Sequence, residues 1–191
     1  MRIIAGAFKG RRLSVKRAKI RPTSDRVKGA LFSILRESVN GANFLDLCAG
    51  TGNIGIEAFS RGAKSVTFVD HDYHCMRVIA ANLEQCGIYR NDPQAKLINL
   101  TAQKGLNYLG RHQAEFNLIY FDPPYDADIY NTCLELVAKN RILSRSGRLV
   151  TEHRRSKELN PPAVSTTGLI VNRQEAYGDT ALSFFEWRES E

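Results

Sequence analysis

The 191-residue chain has no apolar run long enough to span a bilayer, and its basic amino terminus lacks the sustained apolar core of a secretory signal. A soluble, cytoplasmic protein is the resulting expectation. The four cysteines, Cys48, Cys75, Cys86 and Cys133, are scattered and include no Cys-x-x-Cys pair, which argues against a disulfide framework and a zinc ribbon. They are expected to be reduced core or near-core residues. His71, His74 and Cys75 lie close together, yet no second ligand cluster follows, so no metal is expected. Internal repeats, low-complexity stretches and a clear interdomain linker are also missing, and Pro161-Pro162 reads as a loop. With 43% hydrophobic residues the chain is long enough for one well-buried domain and short for two.

Acidic residues are scarce at one end only. Residues 1–40 hold eleven Lys or Arg against Asp25 and Glu37, whereas the remainder holds 16 basic and 18 acidic residues. A basic segment on a nearly neutral body points to a polyanionic partner held through phosphate contacts, and nucleic acid is the economical candidate. A basic run is often only a solvated tail. Here Ile3, Ile4, Phe8, Leu13 and Val15 are interleaved with the charges, which predicts a strand pair or an ordered loop instead. Next, Arg21-Pro22-Thr23-Ser24-Asp25-Arg26 prepares a helix whose apolar positions Val27, Ala30, Leu31, Ile34 and Leu35 follow helical spacing, with Thr23 or Ser24 as N-cap. Arg21 and Arg26 near its start would hold RNA phosphates, line a ligand entrance or pair with carboxylates.

Three motifs carry chemistry. Phe116–Phe121 reads as a buried strand, and Asp122-Pro123-Pro124-Tyr125 follows it. Two prolines cannot continue a ladder, so the chain leaves the sheet rigidly and presents the Asp122 carboxylate and the Pro123 carbonyl, both pure acceptors, beside the Tyr125 ring. That combination suits a planar base carrying an NH2 group, although Asp and Pro also make ordinary turns. Upstream, the strand Phe44–Ala49 runs into Gly50-Thr51-Gly52-Asn53-Ile54-Gly55 and a helix through Ala58 and Phe59, the strand, tight turn and helix of a nucleotide-binding unit. Asp46 beside this turn would repel a pyrophosphate and suits the cationic amino acid end of S-adenosylmethionine. The next strand, Ser65–Val69, delivers Asp70 at the offset from Gly52 where an acidic residue reaches ribose hydroxyls, with His71 flanking it.

The remaining pattern alternates. A helix over 73–85, a strand over 95–100, a short helix over 105–109, a helix over 129–139, and strands over 148–151, 169–175 and 181–187 predict an α/β fold. We expect a Rossmann-like, doubly wound, mostly parallel seven-stranded sheet closed by an antiparallel hairpin through Gly178-Asp179, with a small basic extension at the amino terminus. The extension is expected over residues 1–40 and the catalytic domain over 41–191. Strands one and four would be neighbours at the switch point, bringing the glycine turn and Asp122 to one cleft.

The chain resembles the RsmD family of bacterial ribosomal RNA methyltransferases. The resemblance runs through Arg2-Ile3-Ile4-Ala5-Gly6, Lys9-Gly10-Arg11, the block from Arg21 to Val27, Ala30-Leu31-Phe32, Asp46 with Gly50 and Gly52, Asp122 to Tyr125, Glu152-His153, and Tyr177-Gly178-Asp179-Thr180. The glycine and Asp-Pro-Pro-Tyr motifs specify a class of amino-methyltransferases, and the amino-terminal block narrows it to this family. The resemblance implies methyl transfer from S-adenosylmethionine, leaving S-adenosylhomocysteine, to the N2 amine of a guanine in 16S rRNA, naked or within a small-subunit particle or assembly intermediate, by a monomer. It implies catalytic roles for Asp122, Pro123, Pro124 and Tyr125. Donor contacts would come from Asp46, Ala49, Gly50, Thr51, Gly52, Asn53, Asp70, His71, Thr101, Ala102 and Asp122. RNA contacts would come from Arg2, Lys9, Arg11, Arg12, Arg21, Thr23, Arg26 and Tyr125, with Glu152 and His153 facing the base or serving as a packing pair. Thr101 departs from the family, whose members tend to carry Asp or Asn there. An adenine-N6 methyltransferase would use the same cleft, a dinucleotide oxidoreductase would leave Asp122 to Tyr125 unexplained, and a non-enzymatic RNA-binding module would need only the basic segment.

Overall fold

The computed structural model describes residues 1–15, 24–89, 91–125, 127–157, 159 and 168–188. Arg21, Thr23 and the Pro161-Pro162 loop expected from sequence lie outside the described residues. Helix α1 (Asp25–Leu35) passes through a 3-10 turn (Arg36–Val39) into β1 (Asn43–Leu47), α2 (Asn53–Ser60), β2 (Ser65–Asp70), α3 (Tyr73–Gln85), β3 (Ala95–Asn99) and α4 (Ala102–Arg111). The chain then forms β4 (Phe116–Phe121), α5 (Tyr130–Lys139), β5 (Leu143–Arg154), β6 (Leu169–Tyr177) and β7 (Thr180–Trp187).

These strands make one seven-stranded sheet in the order β3-β2-β1-β4-β5-β7-β6, parallel through β5 and closed by the antiparallel β6–β7 hairpin. The parallel strands are rich in branched and aromatic residues because helices cover both faces. Alternation sends Phe44, Leu118, Tyr120 and Val150 into a core shared with α1, α2 and α3. Leu45, Ile119, Phe121 and Leu149 enter a second core with α4 and α5. The order reverses between β1 and β4, where Leu47 pairs with Phe121, so both strands end at the same edge of the sheet.

The amino-terminal segment is an ordered loop and not a strand pair. Its ladder is a single bridge between Arg2 and Arg12, flanked by bonds from the Ile3, Gly10 and Leu13 amides across the segment, because Gly6 (φ 82°) and Gly10 (φ 85°) turn the chain and the Ile4, Ala5, Ala7 and Phe8 amides bond to α2. The buried Glu57 carboxylate accepts from the Ile4 and Ala5 N–H groups at 2.9 and 3.1 Å, and the Ser60 carbonyl accepts from Ala7 N–H at 2.7 Å. Fully buried Lys28 neutralises Glu57 at 3.2 Å and donates to the Arg2 carbonyl and to Asn53 Oδ1. Ile3 and Leu13 complete the attachment by entering the first core. Ser24 is the N-cap of α1, accepting from Val27 N–H.

Two elements are longer than their sequence pattern. Helix α4 starts at Ala102, where Thr101 caps it, and β5 starts at Leu143, where exposed Arg145 and Ser146 interrupt the alternation and the register with β4 shifts. Among the described residues no helix is long and apolar enough to cross a membrane.

Candidate active site

The ends of β1 and β4 open into a cleft of about 560 Å³, within the roughly 300–1,000 Å³ typical of small-molecule sites. One end is the glycine turn. Asp46, near the end of β1, is buried and accepts from Gly55 N–H at 2.8 Å, which fastens the start of α2 to the strand. Asp70, at the end of β2, accepts from the Gly50 and Asp72 N–H groups at 2.8 and 2.9 Å, which fixes the turn against the neighbouring strand. Gly52 holds the left-handed conformation (φ 76°) at the helix entrance, and a Cβ there would lie 3.1 Å from Ile79. Burial pushes the Asp46 carboxyl up to about 8, with the Gly55 N–H opposing and the Asp70 charge adding to the rise. A turn of bare backbone flanked by the acidic residues Asp46 and Asp70 is chemically suited to a cationic nucleoside.

The other end is the exit from β4. The Asp122 N–H donates to the Leu47 carbonyl at 3.3 Å, tying this turn to β1, and Asp122, Pro123, Pro124 and Tyr125 all line the cleft. Tyr125 donates to Glu152 Oε1 at 3.3 Å and shares a 3.0 Å hydrogen bond with Thr180 Oγ1. Burial raises the Tyr125 phenol, keeping it protonated. Glu152 is 4% exposed and accepts a short hydrogen bond from Tyr120, while its carbonyl accepts from Tyr130. Its carboxylate is thus held at the cleft wall by two tyrosines from the β4 side.

The residues expected at the site divide. Asp46, Ala49, Gly50, Thr51, Asp70, His71, Asp122 and Glu152 line the same cleft. Gly52 and Asn53 shape the turn from behind, Asn53 through its Oδ1 bond to Lys28. Thr101 is exposed and caps α4, and Ala102 is buried in the second core, so neither lines the cleft. His153 is a correction to the reading that places it facing the base. It follows Glu152 on a strand and therefore points to the opposite face, where it is wholly buried, 2.8 Å from Ser183 Oγ and 2.8 Å from the Arg154 carbonyl. Burial lowers its pKa, so it is a neutral packing residue.

Arg2, Lys9, Arg11, Arg12 and Arg26 are exposed. Arg2 lies 3.3 Å from Asp25, and Arg11 covers the Phe8 ring and reaches the Gln85 carbonyl. The site also recruits Tyr120, Val27 and the β6–β7 turn, to which the motif reading assigns no role. Tyr120 was findable: it lies two residues before Asp122 on β4, the spacing that shares a face.

A family model described as "Conserved hypothetical protein 95" matches residues 1–186. The chain is 34% identical to the Bacillus subtilis protein YlbH over 98% of this chain and all of that one. It is 33% identical to the Haemophilus influenzae "Ribosomal RNA small subunit methyltransferase D", covering 91% of this chain and 92% of that one. The solved structure of yhhF from Escherichia coli superposes with a TM-score of 0.83 at 27% identity, covering all of this chain and 99% of that one. By this match and by its fold, the chain belongs to the RsmD family of S-adenosylmethionine-dependent ribosomal RNA methyltransferases.

Proposed function

We propose that this protein methylates the exocyclic N2 amine of a guanine in 16S rRNA of the small subunit. The observation that carries the reading is the single cleft in which the glycine turn and Asp70 stand at one end and Asp122 to Tyr125 at the other. S-adenosylmethionine supplies an electrophilic methyl carbon on a sulfonium sulfur. Ala49, Gly50 and Thr51 would lie along it, Asp46 would face its cationic amino acid end, and Asp70, with His71 beside it, would take the ribose hydroxyls.

At the other end the chain's own groups handle the acceptor. A guanine reaches the cleft only when it leaves its stack, and the Tyr125 ring then offers a stacking surface worth roughly 1–3 kcal/mol. The Asp122 carboxylate and Pro123 carbonyl accept hydrogen bonds from the amine, direct its lone pair into the cleft and stabilise the positive charge that develops on nitrogen. Guanine places N1–H next to its amine, so a carboxylate there accepts from both. Adenine N1 is an acceptor and offers it no second donor. Glu152, held by Tyr120 and Tyr125, adds negative potential on the same side.

The test is transfer of labelled methyl to small-subunit rRNA and its assembly particles, followed by nucleoside analysis. The expected product is N2-methylguanosine, lost by at least about 100-fold in Asp122→Ala, the scale of removing one transition-state partner. N6-methyladenosine as the product would overturn the guanine assignment.

A further inference from the structure

A second cavity, of about 550 Å³, adjoins the cleft and shares Tyr125 and Asp179 with it, its other walls being Arg154, Arg155 and Ser156. None of these three belongs to the basic amino-terminal segment. The segment containing them is built into the fold: β5 ends at Arg154, Arg155 N–H donates to the Asp179 carbonyl at 2.8 Å, and Lys157 N–H closes a turn onto the Arg154 carbonyl at 2.9 Å. Lys157 braces it from below, donating to the Ala127 carbonyl at 3.2 Å with its ammonium 4.4 Å from the Tyr130 ring centroid. The Arg154 guanidinium lies 5.5 Å from the Tyr125 ring centroid, and Arg154, Arg155 and Ser156 are exposed.

We propose that Arg154, Arg155 and Ser156 form a second RNA site that binds the sugar–phosphate unit adjoining the nucleotide presented to Tyr125. The inference rests on the guanine-methylation reading for the placement of that nucleotide. Tyr125 and Asp179 line both cavities, so a strand whose base stacks on Tyr125 in the first brings its neighbouring backbone to the second. The donors fit that occupant: guanidinium forks match phosphate oxygens, and the Ser156 hydroxyl adds a donor. Among the described residues lining the cavity, Asp179 is the acidic one and Arg154 and Arg155 are the basic ones. Arg154 also acts on the ring itself, since a cation over the Tyr125 face steadies the stacking surface and couples phosphate contact to base placement through one side chain.

The experiment is binding of a fragment of small-subunit rRNA, measured without methyl donor at several salt concentrations, for the wild type, Arg155→Ala, Arg154→Ala and Lys139→Ala. Lys139 is an exposed cation at the far end of α5 and serves as control. Each arginine variant is expected to bind on the order of tenfold more weakly at low salt and to lower the slope of log affinity against log salt by about 1, one lost phosphate contact apiece. Donor binding by calorimetry should be unchanged in both, which establishes that the fold is intact. Arginine variants with the affinity and slope of wild type and Lys139→Ala would overturn the proposal, as would a wild type that does not bind the fragment. Because binding is read without donor, a wild type that binds with the predicted slopes but transfers no methyl to small-subunit rRNA or to its assembly particles would overturn the guanine-methylation reading and leave this site standing.

Discussion

Asp46 carries two opposed demands: it is buried to 2% exposure, yet the cleft it lines is suited to a cation. In the empty cleft its carboxyl holds a proton up to about 8. A cationic ligand favours the ionised form, so binding releases that proton, and affinity rises with pH through the window below 8 and levels off above it. The dissociation constant for S-adenosylmethionine is therefore expected to fall by up to about tenfold per pH unit between pH 6 and 8 in the wild type and to be nearly flat in Asp46→Asn. Calorimetry in buffers of different ionisation enthalpy counts the proton directly; a flat wild-type profile would remove Asp46 from the donor site. Tyr125 separates ring from hydroxyl in the same way. Tyr125→Phe loses the bonds to Thr180 and Glu152 but keeps the stacking face, and should retain most methyl transfer, whereas Tyr125→Ala should raise the RNA KM by about 5- to 100-fold. Equal losses in the two variants would place the hydroxyl, and not the ring, at the centre of the role. At this scale the sequence locates residues that sit in rigid local motifs: Asp46, Asp70, Asp122 and Tyr125 line one cleft, and the roles of Asp46, Asp122 and Tyr125 there are what the experiments above test. For His153 it left a base-facing and a packing role open, and the strand alternation that turns it to the face opposite Glu152 favours packing.

Elements whose residues are buried on a regular period announced themselves: α3 and β4 occupy the residues that the periodicity predicts, and β1 lies beside β4 as the doubly wound pattern requires. The amino-terminal segment left a strand pair and an ordered loop both open, because its interleaved apolar residues suit either while the Ile4, Ala5 and Phe8 amides find partners about fifty residues away in α2. No local pattern encodes a partner at that distance. Gly6 is the residue on which the docking turns. It holds φ 82°, and a Cβ would fall 1.7 Å from the Ser60 carbonyl oxygen, a backbone atom that cannot step aside without distorting the end of α2. Gly6→Ala is expected to release the loop before it unfolds the sheet, because strain of about 1–3 kcal/mol is relieved most cheaply at the least buried element. Hydrogen exchange should show protection lost first and most at the Ile3, Ala7 and Gly10 amides, with a smaller loss at the β1 and β4 amides. Uniform loss across the sheet would mean that the loop and the sheet unfold as one unit.

Charge and burial pull the amino-terminal segment in different directions across the whole molecule. Arg2, Lys9, Arg11, Arg12, Arg26 and Arg36 face solvent, while Ile3, Leu13 and Lys28 are part of the interior and Glu57 in α2 holds its backbone. The compositional boundary near residue 40 is therefore a boundary of charge, and the hydrophobic core runs across it. Two interventions that remove cations from this segment should then have unlike consequences. Lys9→Ala with Arg12→Ala takes two exposed cations from the surface. It should weaken rRNA binding, lower the salt slope by about 2 and leave the melting temperature within the small range of surface substitutions. Deleting residues 1–15 takes Arg2 and Arg11 as well as those two cations, removes Ile3 and Leu13, and strips Glu57 of two of its amide donors. Two buried aliphatic side chains alone are worth roughly 2–5 kcal/mol each, a large share of the stability of a domain this size. The truncated chain should melt far lower and lose donor binding along with RNA binding. Thermal melts and donor calorimetry on the two proteins decide the matter: a truncation that keeps its melting temperature and its affinity for S-adenosylmethionine would make the basic segment a separable RNA-binding arm, and the interior contacts drawn from Ile3, Leu13 and Glu57 would then carry no weight in holding the catalytic domain together.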